Sequence, residues 1–103
     1  MDTIKVGVIG AKGRMGSEAC RAISADPRTE LVAAVDVGDD VASLAAAGAS
    51  VAVDFSTADA ARAHLPELGR AGLHAVVGTT GLSPADHDAI DRAFAATTCL
   101  LVP

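Results

Sequence analysis

Short apolar runs alternate with helix-patterned stretches along the whole chain. Ile4 to Ile9 (IKVGVI) is rich in β-branched residues and ends at Gly10, which predicts a buried strand. Arg14 to Ala25 carries Met15, Ala19, Ala22 and Ile23 at helical spacing, and Asp26-Pro27 stops it. Leu31 to Val37 (LVAAVDV) predicts a second strand ending near Asp36, Asp40 to Ala47 a short helix closed by Gly48, and Val51 to Phe55 (VAVDF) a third strand. Thr57 reads as the cap of a helix running through Gly69 and stopped at Gly72. A kink or break is expected in it near His64, because a helix interior rejects the proline at 66. His74 to Val77 is the fourth strand. Ser83-Pro84 starts a helix to about Ala95, and Thr98 to Val102 is the fifth strand.

The strands lack period-two alternation and the connections are short, a pattern that calls for parallel strands covered on both faces through right-handed crossovers. The expected fold is α/β: a Rossmann-like, doubly wound parallel sheet of about five strands, in a single domain spanning 1–103. No internal repeat or low-complexity linker interrupts it. Composition agrees, since half the residues are hydrophobic and most of those are Ala, Val and Leu, which let helices pack closely on a sheet. With two Phe and no Trp or Tyr, an aromatic-driven interface is disfavoured.

A formal charge of −5 with no basic cluster argues against nucleic acid and against an anionic membrane as partners. No apolar run is long enough for a membrane span and the N-terminus lacks a basic segment, so the expected location is cytoplasmic. Cys20 and Cys99 have no CxxC spacing and no neighbouring His, and read as small buried hydrophobes in a reducing compartment; no metal site is expected.

The glycines at 10, 13 and 16 are the first candidate chemistry. They follow a strand and open a helix, where free N–H groups and the helix dipole favour a negative charge. Gly10 allows a tight turn, Gly13 a close approach of ligand to backbone, and Gly16 close packing of helix on strand. The spacing is GxxGxxG, one residue longer in its first gap than the usual dinucleotide fingerprint. Asp36 lies twenty residues after Gly16, the place from which a carboxylate reaches the ribose of an adenosine. Lys12 and Arg14 interleave with the glycines and can reach phosphate oxygens. The other reading is a plain turn with solvated cations.

Further polar or special residues fall at the same strand ends. VDFST places Asp54, Phe55 and Ser56 after the third strand, GTTG places Gly78, Thr79 and Thr80 after the fourth, and Val102-Pro103 follows the fifth. The hydroxyls and N–H groups of Thr79 and Thr80 suit a ribose, phosphate or carboxamide, and Phe55 offers a flat wall. His64 and His87 read as surface or boundary positions on helices, and His74 begins a strand at the opposite end. Asp39-Asp40 and Asp86/Asp88 read as helix-start charges. No catalytic residue is assigned: no nucleophile–base set can be assembled.

VGVIGAKGRMG, VDFST and AGLHAVVGTTG together resemble the N-terminal, cofactor-binding domain of the dihydrodipicolinate reductase family, over essentially the whole chain. The resemblance implies an NAD(P)H-dependent reduction of 4-hydroxy-tetrahydrodipicolinate to tetrahydrodipicolinate in lysine and diaminopimelate biosynthesis. It implies that Gly10, Ala11, Lys12, Gly13, Arg14 and Met15 wrap the pyrophosphate and that Asp36 takes the adenosine ribose. Phe55 then lies beside the cofactor, with Gly78, Thr79 and Thr80 near the nicotinamide ribose. Val102 and Pro103 match the first half of the family's loop after the fifth strand. Its catalytic motif and tetramer-forming sheet lie beyond that point, so this chain alone is expected to bind cofactor weakly and not to catalyse, with an apolar surface through which a dimer can form. Asp36 followed by Val37, where NADPH-preferring members often have arginine, favours NADH, while Lys12 and Arg14 leave NADPH open; dual use with a modest NADH preference is expected. A standalone nucleotide-binding module without chemistry is the alternative. The DFST and GTTG signatures disfavour the nucleotide domain of an unrelated dehydrogenase.

Overall fold

The computed structural model describes residues 3–36 and 38–102. Strands and helices alternate through it: β1 (Ile4–Ile9), α1 (Arg14–Ala25), β2 (Thr29–Val35), α2 (Ala42–Ala46), β3 (Val51–Asp54), α3 (Ala58–Arg70), β4 (His74–Val77), α4 (Pro84–Ala93) and β5 (Cys99–Leu101). All neighbouring strands pair in parallel, in the order β2-β1-β3-β4-β5. The chain therefore winds one way from β1 to β2 and the other way from β3 onward. The reversal lies between β1 and β3, the point where open α/β sheets take their ligands.

Right-handed crossovers send α1 to one face of this sheet and α2, α3 and α4 to the other. The main core lies on the three-helix face, where Leu44, Ala61, Leu65, Leu68, Ile90 and Phe94 close over Ile9, Ala52, Ala75 and Val77. Val6 and Val8 are buried but stand apart from that cluster, alternating with Ile9 and facing α1. The expectation of strands covered on both faces is thus corrected in part. Val53, Val76 and Leu100 stand in register on the α1 side, yet α1 packs on β1 and β2, so Val53 and Val76 are half-buried and Leu100 is 56% exposed. A single crossover in one direction supplies a single helix to that face.

Element boundaries shift for local reasons. β2 begins at Thr29, earlier than the predicted Leu31, because the Asp26 carboxylate accepts the Arg28 N–H (2.8 Å) and its guanidinium, and Thr29 Oγ1 donates to the Ile23 carbonyl at 2.6 Å. The predicted end of that strand, Val37, falls outside the described residues. α3 is continuous from Ala58 to Arg70 with Pro66 inside it, so the expected break near His64 does not occur. Fully buried Leu65 and Leu68 pin the helix to the sheet on either side of the proline, and packing outweighs the hydrogen bond that Pro66 cannot make. His64 shares the inward stripe of Ala61, Leu65 and Leu68 and is buried, which corrects its reading as a surface or boundary residue.

α4 starts where Ser83-Pro84 predicts and ends at Ala93, short of Ala95. Ser83 Oγ accepts the Asp86 N–H (3.2 Å) and the Asp86 carboxylate accepts the Ser83 N–H (2.8 Å), a complete capping box. Asp86 also receives Arg62 of α3 in a forked pair at 2.8 and 3.1 Å, so the helix-start charge ties two helices together. The Arg62 guanidinium, then the Ser83 N–H, hold the Asp86 carboxyl well below the ordinary carboxylate range. A depressed carboxyl stabilises the fold above the unfolded pKa of about 3.9 and loses that contribution as pH falls toward the folded value. Asp86→Asn is therefore expected to be less stable than the parent at pH 7, with the gap closing below about pH 4; urea unfolding across that range measures it. A gap independent of pH would show that the carboxylate charge is not what stabilises the contact.

Candidate functional site

The site is built where β1 and β3 end. After Ile9 the backbone turns sharply at Gly10, whose φ of 82° favours glycine. The N–H groups of Gly10 and Ala11 both donate to the Val35 carbonyl (2.9 and 3.0 Å), and the Gly13 N–H donates to the Gly10 carbonyl at 3.1 Å. The turn is thereby fixed before the helix begins. Gly13 is the N-cap of α1 and offers no side chain to it. The long helices α3 and α4 differ, since Thr57 and Ser83 cap them. The first-turn N–H groups of α1, at Arg14, Met15 and Gly16, have no intrahelical acceptor and, among the described residues, no side-chain cap.

The glycines around that turn occupy different kinds of space. A Cβ on Gly16 would stand 1.8 Å from the Gly10 carbonyl oxygen, so the helix touches the loop there. A Cβ on Gly13 would meet only that oxygen, at 3.4 Å, and the space in front of it is open. Lys12, Arg14 and Met15 border the opening and are exposed; Lys12 and Arg14 form no ion pair with a described residue.

Phe55 joins the turn to the next strand end. Its N–H donates to the Ile9 carbonyl (3.0 Å), its own carbonyl oxygen lies 2.7 Å from where a Gly10 Cβ would be, and its ring fills the space where a Gly78 side chain would stand. The Gly78 N–H donates to the Asp54 carbonyl (2.8 Å), Thr79 Oγ1 to the Ser56 carbonyl (3.2 Å), and the Val102 N–H to the Val77 carbonyl (2.8 Å). Gly10, Phe55, Gly78, Thr79 and Val102 thus form one stitched edge. Thr80 follows as an exposed residue, and Pro103 lies outside the described residues. Asp36 stands at the other end of the edge, half-buried after β2, with its N–H donating to Asp39 Oδ2 at 2.9 Å. Beside it a shallow cavity of about 240 Å³ opens between Gly38, Asp39, Asp40 and Val41 on one side and Ala60, Ala63, His64 and Glu67 of α3 on the other.

One pair at this edge escapes the sequence reading. Asp54 is fully buried; Oδ1 accepts the Ser56 N–H (2.8 Å) and Oδ2 lies 2.5 Å from His64 Nε2. The helical period of α3 holds the signal, since His64 falls three residues from Ala61 and four from Leu68. His74, by contrast, sits at the far end of the sheet, where Nδ1 accepts the Thr98 N–H at 3.0 Å. Cys20 and Cys99 are half-buried free thiols, and burial pushes Cys99 up to about 11, which keeps it a thiol at neutral pH. Among the described residues no group of His, Cys, Asp or Glu is arranged to hold a metal, and no helix is long and apolar enough to cross a membrane.

A parallel sheet reversing between β1 and β3, with a glycine turn and an uncapped helix at the reversal, is a Rossmann-like domain. Residues 4–103 match the family described as "Dihydrodipicolinate reductase, N-terminus". The chain is 53% identical over 90 residues to the 4-hydroxy-tetrahydrodipicolinate reductase of Beutenbergia cavernae, covering 87% of this chain and 35% of that protein. The enzyme of the same name from Nocardia farcinica is 42% identical over 104 residues, covering 98% of this chain and 42% of the relative. A solved structure, dipicolinate-bound dihydrodipicolinate reductase from Paenisporosarcina sp. TG-14, superposes with a TM-score of 0.86 at 20% identity, covering 99% of this chain and 48% of that one. The chain belongs to the dihydrodipicolinate reductase family, in its N-terminal part. It spans between a third and a half of the length of these relatives.

Proposed function

We propose that this chain is the cofactor-binding domain of an NAD(P)H-dependent reductase that converts 4-hydroxy-tetrahydrodipicolinate to tetrahydrodipicolinate. The uncapped first turn of α1 carries the reading: its N–H groups open onto the space left free at Gly13, a fit for the pyrophosphate of a dinucleotide. When bound, the nicotinamide supplies the hydride for the reduction. Gly10 to Met15 wrap the pyrophosphate, with Lys12 and Arg14 offering charge-assisted contacts. Asp36 accepts the adenosine ribose hydroxyls, and the adjoining cavity receives the base. Phe55, Gly78, Thr79, Thr80 and the segment from Val102 border the nicotinamide half. In this reading this part of the protein seats the cofactor and by itself does not catalyse.

Charge at the adenosine end favours NADH. Asp36, Asp39, Asp40 and Glu67 lie at that end, so a 2′-phosphate would meet four carboxylates against the two cations of the glycine turn, Lys12 and Arg14. Calorimetric titration of the chain is expected to show binding of both dinucleotides, with NADH tighter by roughly threefold to tenfold, about 0.7–1.4 kcal/mol. Arg14→Ala is expected to weaken both by about tenfold or more, the size of a charge-assisted contact to the shared pyrophosphate. A loss confined to NADPH would move Arg14 to the 2′-phosphate, and no binding of either dinucleotide to the parent chain would overturn the reading.

A further inference from the structure

Asp54 and His64 are buried together on the sheet face that holds the main core, where every neighbouring stripe position is apolar. Stability does not account for them. Replacing a buried ionisable pair by apolar residues of similar volume is commonly neutral or favourable, and the best-attested use of such pairs is to select one arrangement. What this pair selects is visible in its contacts. Asp54 is the last residue of β3, and one carboxylate oxygen accepts the N–H of Ser56, two residues into the loop that follows. The other oxygen faces His64 Nε2 of α3 at 2.5 Å, so the carboxylate cannot turn away. Between Asp54 and Ser56 lies Phe55, whose carbonyl backs Gly10 and whose ring fills the space beside Gly78. The Ser56 carbonyl in turn receives Thr79 Oγ1.

We infer that His64 and Asp54 are positioning residues: His64 orients the Asp54 carboxylate, which holds the β3–α3 loop and Phe55 against the glycine turn and so sets the affinity for the dinucleotide. Its value for binding rests on the cofactor reading above; the anchoring itself is independent of it. Neither side chain touches the ligand in this role. Free energy enters through preorganisation, since a loop already in its bound shape loses less entropy on binding.

The test compares the chain with His64→Ala and His64→Gln, by amide hydrogen exchange without ligand and by titration with NADH. His64 borders the surface cavity, so in His64→Ala water can enter and solvate Asp54, and the fold is expected to survive. The glutamine amide reaches the position of Nε2 and restores the donor. Protection of the Ser56 amide is expected to fall about tenfold or more in His64→Ala relative to the His74 and Ala75 amides, which bond β4 to the segments leading into β3 and β5, and to return in His64→Gln. NADH affinity is expected to weaken about tenfold in the alanine variant and to stay within about threefold of the parent in the glutamine variant. Unchanged Ser56 protection in His64→Ala would overturn the proposal, as would lost protection with unchanged NADH affinity, or a glutamine variant as defective as alanine. Should His64→Ala exchange fast throughout, His64→Gln decides alone: parent-like Ser56 protection supports the anchor and its loss overturns it. A parent chain that binds no dinucleotide would remove the cofactor reading, and the Ser56 exchange would still decide whether the pair anchors the loop.

Discussion

Gly16→Ala is expected to lose about 3 kcal/mol of stability or more, a large part of what a domain of this size has in total. The added methyl would stand 1.8 Å from the Gly10 carbonyl oxygen, 2.6 Å from its carbon and 3.0 Å from Ala11 Cα. All three are backbone atoms, so no rotamer change relieves the overlap. Either α1 lifts off the end of β1 and loses its packing there, or the turn at Gly10 opens and breaks the bonds from Gly10 and Ala11 to Val35. Alanine's better helix propensity, about 1 kcal/mol, is too small to compensate. Thermal unfolding should show the midpoint falling by roughly 12 °C or more. A variant as stable as the parent would mean that the helix does not seat this closely on the loop.

Gly13→Val is expected to behave in the opposite way. Its backbone, at φ −71° and ψ 170°, is the extended conformation that valine prefers, and its Cβ would have a single neighbour at 3.4 Å. The melting midpoint should fall only modestly, by the roughly 1 kcal/mol that separates valine from glycine at a helix N-cap. The isopropyl group would, however, fill the opening in front of the α1 N–H groups. NADH affinity should drop about a hundredfold or more, at least about 2.7 kcal/mol, by the same titration that characterises the parent. Undiminished binding by a folded valine variant would show that the pyrophosphate lies elsewhere. Residues three apart in one motif are thus expected to separate folding from binding.

The features legible in the sequence are the local ones. Ser83-Pro84 announces a helix start because its cap is formed within four residues, and the run from Ile4 to Gly16 announces a strand, turn and helix for the same reason. Strand order, and therefore which face each helix covers, depends on crossover direction, which no local pattern encodes. The half-covered positions Val53, Val76 and Leu100 follow from that. Pro66 does not break α3, because a local rule yields to packing of Leu65 and Leu68. His64 hid in an alanine-rich helix whose inward stripe is marked by only a few large residues. At the candidate edge, the motif positions are legible one by one, whereas the wedge of Phe55 between Gly10 and Gly78 joins residues far apart in the chain and shows only in three dimensions.

The first-turn N–H groups of helix α1 have no side-chain partner among the described residues. Any anion that settles there binds the folded chain and not the unfolded one, so occupancy and folding become a single linked equilibrium. A ligand at a hundred times its dissociation constant would add about 2.7 kcal/mol to the folded state. In a growing cell, the supply of that ligand would then govern the steady-state amount of intact protein, by sparing it from proteolysis, as well as the fraction ready to work.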